Sequence, residues 1–166
     1  MIRLVKPADY AAVAEIVEPA FIAEFGSSTE NALIAQLRDE GDVVFELVAQ
    51  DEAGQIVGHI LYSRLWVESP RLYAALAPLA VRNDRQKSGV GSALMRASLE
   101  TAREFGVQGI LVLGHPDYYA RFGFNREAAA QVNSPYSASP AFKGLSLEDG
   151  AFDLPITVAY PSAFGT

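Results

Sequence analysis

The sequence predicts a mixed α/β (α+β) fold, with a central sheet of antiparallel and parallel strands flanked by helices. Three observations predict it. Two apolar, β-branched runs, 43–49 and 56–62, are joined by Asp51-Glu52-Ala53-Gly54, which reads as a hairpin turn. Further on, a strand ending at Val81, a glycine-bearing loop, a helix and an apolar strand ending at Leu113 follow in the order of a parallel βαβ unit. Ahead of both, Val13, Ile16, Val17 and Ala20, then Leu33, Ile34 and Leu37, recur at helical spacing. With 166 residues, 50% of them hydrophobic, the chain suits one domain, residues 1–166, around one sizeable core.

Taken in order, Met1 to Val5 reads as an edge strand, and Lys6-Pro7-Ala8-Asp9 as a turn with Asp9 as helix N-cap. Pro19 predicts an end or kink near Glu18. Ser27, with Glu30 three residues on, forms a capping box for a second helix that ends near Gly41. Leu65 to Val67 extend the second hairpin strand. Leu72 to Val81 is the next strand, and Pro78 inside it marks an edge, a bulge or a place where pairing stops. Ser92 to Phe105 is a helix, Ile110 to Leu113 a short buried strand, and Asp117 to Phe122 a short helix closed by Gly123. Residues 133–144, rich in Ser, Pro, Ala and Asn, read as a long loop. Leu145 to Phe152 has room for one helical turn, and Leu154 to Tyr160 reads as a closing strand.

Composition narrows the function. The net charge of −7 argues against a general nucleic-acid binder, whose footprint is a basic stripe. Absence of cysteine excludes disulfides and thiolate catalysis, and two histidines give no metal-site spacing, so no metal is expected. No signal-peptide pattern opens the sequence and no apolar stretch approaches membrane-spanning length, so the expectation is a cytoplasmic protein with no membrane partner.

The informative stretch is Leu79 to Leu94. Gly89 and Gly91 allow a tight turn and close approach of a ligand to the backbone, and the first amides of the following helix have no intrahelical acceptor. Arg82, Arg85 and Lys87 add positive charge, so the loop reads as a phosphate or pyrophosphate cradle at a helix N-terminus. It lacks the Gly-Lys-Ser/Thr ending of a Walker A loop. It also lacks the third glycine of a dinucleotide fingerprint, having Leu94 there. A strand-to-helix turn without a ligand is the alternative.

The pattern Gln86-x-x-Gly89-x-Gly91 resembles the pyrophosphate loop of the GNAT superfamily of acyl-CoA-dependent N-acyltransferases, and Tyr119-x-x-x-Gly123-Phe124 resembles a second GNAT motif in the expected order. Gly58-His59-Ile60-Leu61-Tyr62-Ser63, Leu76-Ala77-Pro78-Leu79-Ala80-Val81 and the run from Leu113 to Phe124 look like its bacterial YhbS-like branch. The resemblance implies a single-domain GNAT fold whose parallel strands near 76–82 and 109–114 splay apart. Acetyl-CoA, as acyl donor, would lie in that opening, its pantetheine arm beside Leu79, Ala80 and Val81. Backbone amides of Lys87, Ser88, Gly89, Val90, Gly91, Ser92 and Ala93 would hold the pyrophosphate, flanked by Arg85 and Gln86.

The same resemblance implies transfer of an acetyl group to a primary amine of a small molecule or peptide, by direct attack in a ternary complex. Tyr119 is then the candidate general acid for the leaving thiolate, since a phenol with a pKa of about 10 is protonated at neutral pH. Packing beside Phe122 and Phe124 is its structural alternative, and Tyr118 reads as core or pocket wall. Candidates for the general base are His59, Glu46, His115 or water. The negative charge agrees with a cationic amine, polyamine or lysine-bearing peptide as partner. A homodimer is one candidate assembly. Two other classes stay open: a non-catalytic acyl-CoA-binding or sensor module, and a binder of another nucleotide phosphate.

Overall fold

Apolar runs separated by turn residues become eight strands and four helices in the computed structural model, which describes residues 1–26 and 28–166. The order is β1 (Ile2–Leu4), α1 (Tyr10–Phe25), α2 (Glu30–Asp39), β2 (Val43–Gln50), β3 (Ile56–Leu65), β4 (Leu72–Val81), α3 (Val90–Glu104), β5 (Val107–Leu113), α4 (Pro116–Ala120), β6 (Val132–Asn133), β7 (Phe142–Ser146) and β8 (Ile156–Thr157). Six strands form one mixed sheet in the order β1-β2-β3-β4-β5-β7, and β6 pairs with β8 separately. The chain folds as two compact units, Met1–Tyr62 with Pro78–Leu99, and Ser63–Ala77 with Glu100–Thr166.

In the first unit, β1 runs antiparallel to β2, with Ile2 opposite Ala49 and Leu4 opposite Leu47. The hairpin turn is as expected: Asp51 N donates to Gln55 O, Gly54 N to Asp51 O, and Gln55 N to the Asp51 carboxylate. Two N-terminal expectations need correction. Asp9 precedes α1, but its carboxylate does not cap the helix. It accepts from Arg3 Nη1 at 2.8 Å, Arg3 Nη2 at 2.9 Å and Lys6 N at 2.8 Å, so it clasps β1 and the turn instead. Of the end or kink expected near Glu18, the end does not occur: α1 runs on through Pro19 to Phe25. Pro19 and Glu15 both lie on the exposed face, so the carbonyl that loses its partner is open to water while Val13, Ile16, Val17 and Ala20 stay buried. The helix stops at Gly26, in the left-handed region at φ 66. Ser27 of the expected capping box lies outside the described residues.

Alternation in β3 separates two faces. Gly58 faces α3: a Cβ there would lie 2.7 Å from Leu94 Cδ1 and 2.9 Å from Val90 Cγ1, so the helix sits closer than any side chain allows. On the same face Tyr62 OH bonds Ser98 Oγ at 2.8 Å. Ser98 spends its only proton on Met95 O, so Tyr62 is the donor. His59, between them in sequence, points to the opposite face, where α2 brings Arg38 to Glu46 of β2.

In the second unit, β4 and β5 are parallel from Leu72 opposite Val107 to Leu76 opposite Val112. β7 adds antiparallel to β5, from Gly109 opposite Ser146 to Leu113 opposite Phe142. This corrects the long loop read over 133–144 and the helical turn read over 145–152: residues 142–146 are strand. The closing strand shrinks to Ile156–Thr157 plus a bridge in which Ala159 and Trp66 exchange hydrogen bonds of 2.9 Å. Leu65, Tyr73, Leu111, Val132, Phe142, Phe152 and Val158 belong to the core of this unit. Gly109 is tightest there, since a Cβ would meet Tyr73 Cδ1 at 2.7 Å and Phe152 Cζ at 2.8 Å.

Two tests follow from these contacts. Gly109→Ala should destabilise the protein by about 1–3 kcal/mol, read by chemical denaturation, because two aromatic rings must move; an unchanged midpoint would mean the rings yield freely. Hydrogen bonds from Arg3, aided by Lys6 N–H against the cost of burial, hold Asp9 at a pKa of about 2. The stability it contributes is therefore full above the ordinary carboxylate range and is lost as pH falls toward 2. Asp9→Asn should lower stability at neutral pH and flatten its decline in acid.

Candidate functional site

After Val81 the chain turns sharply, and backbone bonds fix each step. Arg82 N donates to Val57 O at 2.9 Å and Arg85 N to Arg82 O at 2.8 Å, closing a 3-10 turn over Asn83–Arg85. Gln86 reaches back to Val81 O at 3.4 Å and Asn83 Oδ1 at 3.3 Å, and Ser88 Oγ donates to Arg85 O. Lys87 is held at φ 60 and Gly89 at φ 92. A left-handed lysine is uncommon and costs roughly 1–2 kcal/mol, the kind of strain found where a loop must present its amides. α3 begins at Val90, and Ala93 N makes a helical bond to Gly89 O at 3.0 Å. The amides of Val90 and Gly91 precede it, where helix geometry supplies no acceptor. A Cβ on Gly89 would meet no protein atom within 4 Å, so the space over the turn is open.

The flanking charges are distributed unevenly. Arg82 bonds Asp84 at 2.6 Å and Arg85 bonds Asp51 at 3.0 Å, so both guanidiniums are engaged by carboxylates. Lys87 is exposed and makes no ion pair among the described residues. Asp51 was read only as a turn residue, because its contact with Arg85 spans 34 positions.

Leu79, Ala80 and Val81 lie on β4 beyond the point where pairing with β5 ends. The register stops at Leu76 opposite Val112, although β4 continues to Val81. Pro78 follows within two residues and has no N–H to donate. Over Ala77–Val81 burial alternates, with Ala77, Leu79 and Val81 half-buried and Pro78 and Ala80 buried.

Tyr119 is seated by Gly114. A Cβ at Gly114, one residue past β5, would lie 2.7 Å from Tyr119 Cε2, so the ring occupies the space glycine leaves. Its edge packs on Phe124, with centroids 5.9 Å apart, and on Tyr118 at 5.2 Å. Tyr118 also packs on Phe122 at 5.5 Å. Gly114 was missed in the sequence; its place between an apolar strand and an aromatic helix was the available signal.

Of the candidate bases, the structure brings His59 and Glu46 together. His59 Nε2 lies 2.8 Å from Glu46 Oε1, and Arg38 grips both oxygens of Glu46 at 3.0 and 2.7 Å. Burial works to raise the Glu46 pKa, but hydrogen bonds from His59 and Arg38 outweigh it and leave it below the ordinary value. Burial lowers the His59 pKa despite the opposing pull of Glu46. His115 is exposed at the start of α4. Among the described residues no group of His, Asp and Glu side chains is arranged to hold a metal ion, and no helix is long and apolar enough to cross a membrane.

Comparison with known proteins fits this geometry. The Acetyltransferase (GNAT) family model matches residues 10–124. The uncharacterized N-acetyltransferase YhbS of Escherichia coli strain K12 is 32% identical over 131 residues, 78% of each chain. YjhQ of the same organism, also named an uncharacterized N-acetyltransferase, is 42% identical over 106 residues, 60% of this chain and 58% of that one. The crystal structure of Escherichia coli YhbS in complex with CoA superposes with a TM-score of 0.87 at 29% identity, covering 100% of this chain and 92% of that one. A GNAT family acetyltransferase from Brucella melitensis in complex with acetyl-CoA gives 0.82 at 30% identity, covering 99% and 97%. The family model and these relatives, at this identity and coverage, show that the chain belongs to the GNAT family of acetyltransferases.

Proposed function

We propose that residues 1–166 act as one N-acetyltransferase domain that moves an acetyl group from acetyl-CoA to a primary amine of a small molecule or peptide by direct attack in a ternary complex. The observation that carries this reading is the end of the β4–β5 register at Leu76 and Val112, directly before Pro78 and the open turn at Gly89. Beyond that point the main-chain groups of Leu79, Ala80 and Val81 are suited to the amide-bearing arm of the donor. Backbone amides from Lys87 to Ala93 would take the pyrophosphate, and Lys87 supplies an exposed positive charge beside them. Arg85 and Gln86 shape the turn through Asp51, Val81 O and Asn83 more than they reach for the ligand. CoA and acetyl-CoA in the two solved relatives support the donor.

In this reading the amine forms a bond to the thioester carbonyl carbon, and a β4 amide polarises the oxygen as negative charge develops. The tetrahedral intermediate collapses with loss of the C–S bond, and the sulfur takes a proton from Tyr119. Tyr119 suits this role because Gly114 seats its ring at the end of β5. The net charge of −7 favours a cationic acceptor.

Calorimetric titration with acetyl-CoA, with ATP and NAD as controls, is the first test, followed by thiol release over polyamines and lysine-bearing peptides. Selective acetyl-CoA binding with transfer supports the enzyme; tight binding with no transfer to any amine identifies a sensor module; competition by ATP or NAD identifies another phosphate binder. Gly89→Val should weaken acetyl-CoA binding at least about tenfold, since the side chain fills space the ligand needs at a backbone angle disfavoured for valine. Unchanged affinity in the folded variant would remove the cradle. Tyr119→Phe should lower kcat by about a hundredfold with little change in acetyl-CoA affinity. Equal turnover would return Tyr119 to the aromatic cluster.

A further inference from the structure

His59 is fully buried, and only one of its ring nitrogens has a partner among the described residues. Glu46 is acceptor-only, because Arg38 donates to both of its oxygens. The proton between Nε2 and Glu46 Oε1 must therefore sit on His59, and a neutral ring then leaves a lone pair on Nδ1. That atom is buried and makes no hydrogen bond in the described structure. Nδ1 is therefore left as an acceptor, able to take a hydrogen bond or a proton from a group outside the dyad.

The location carries the argument further. Arg82 N bonds Val57 O at 2.9 Å, and the missing Cβ of Gly58 would lie 3.5 Å from Ala80 O. His59 therefore sits on β3 beside the Leu79–Val81 segment of β4, and its ring faces away from α3, toward the side reached by α2. A carboxylate that fixes one imidazole nitrogen and leaves the other as a proton acceptor is the logic of a general-base histidine.

We propose that His59 Nδ1 is the proton acceptor for the incoming amine, reached through water, and that Glu46 and Arg38 are positioning residues that fix its tautomer. This rests on the acetyl-transfer reading above. The bound ammonium gives one proton through water to Nδ1, forming an imidazolium beside Glu46. The freed nitrogen lone pair then forms the C–N bond. As the intermediate collapses, the C–S electron pair stays on sulfur, sulfur is protonated by Tyr119, and Tyr119 recovers the second nitrogen proton. His59 returns its own proton to solvent, so one proton is released per turnover. Among the described residues the charged groups acting on His59 are Glu46 from β2 and Arg38 from α2.

The test uses the full chain in two measurements. The first is independent of activity. The protein has two histidines, so long-range proton–nitrogen correlation on nitrogen-15 histidine-labelled protein, assigned with His115→Gln, reads the His59 tautomer directly. Proton on Nε2 and a bare Nδ1 at neutral pH is expected; proton on Nδ1, or a doubly protonated ring, overturns the proposal. The second is the pH dependence of kcat for transfer to propylamine and spermidine. Burial places the acidic limb below the ordinary histidine value of 6.5. His59→Gln should remove that limb and lower kcat by about a hundredfold while acetyl-CoA affinity stays unchanged. Glu46→Gln should move the limb further into acid, because the carboxylate that raises the His59 pKa is gone. A His59→Gln variant with the wild-type limb and kcat overturns the assignment even if transfer itself is established. A wild-type protein that transfers to no amine overturns the acetyl-transfer reading and the proton-acceptor role together, and the tautomer then identifies the dyad as structural.

Discussion

β4 outlasts its parallel partner, and Pro78, which has no N–H, lies just past the last paired residue. Its pairing with β5 ends at Leu76 and Val112, yet the strand remains extended to Val81. Much of the site follows from that interruption. The backbone beyond it keeps strand geometry without the neighbour that would consume its polar groups, and the glycine turn begins where the strand ends. Gly58 on β3 lets α3 lie close enough for its first turn to follow directly from that loop. Absent side chains at Gly58, Gly109 and Gly114 thus matter as much as any residue with chemistry of its own: the first admits a helix, the second two core rings, the third Tyr119.

Much of this was legible in the sequence where the signal is local. The hairpin at Asp51–Gly54, the βαβ order around the glycine loop and the edge strand at the N-terminus rest on short-range patterns, and they appear where expected. β7 was not legible: Phe142-Lys143-Gly144-Leu145-Ser146 follows a Ser- and Pro-rich stretch and has little β-branched character. It is a strand because β5 offers it an edge, from Gly109 opposite Ser146 to Leu113 opposite Phe142. Pro19 offered an end or a kink, and of the two the end does not occur. The carbonyl that loses its partner belongs to Glu15, an exposed residue, where water can take the lost donor's place.

The candidate site divides the same way. Glycines at 89 and 91 and the tyrosine four residues before Gly123 are visible because residue type and spacing carry the meaning. What could not be read is how the side chains are spent. Arg85 looks like a free cation in sequence, and in the fold it is bound to Asp51. Glu46 and His59 looked like separate candidates, and Arg38 did not figure at all, yet the three form one hydrogen-bonded chain from α2 through β2 to β3.

Lys87 carries a consequence for how this loop responds to change. Its φ of 60 suits glycine, which would relieve the steric cost and stabilise the folded chain. The same replacement removes an exposed cation that no carboxylate engages among the described residues of the turn. Selection for heat resistance and selection for holding an anion therefore pull this position in opposite directions, and a thermostable variant obtained without screening for ligand would be expected to trade away the lysine first.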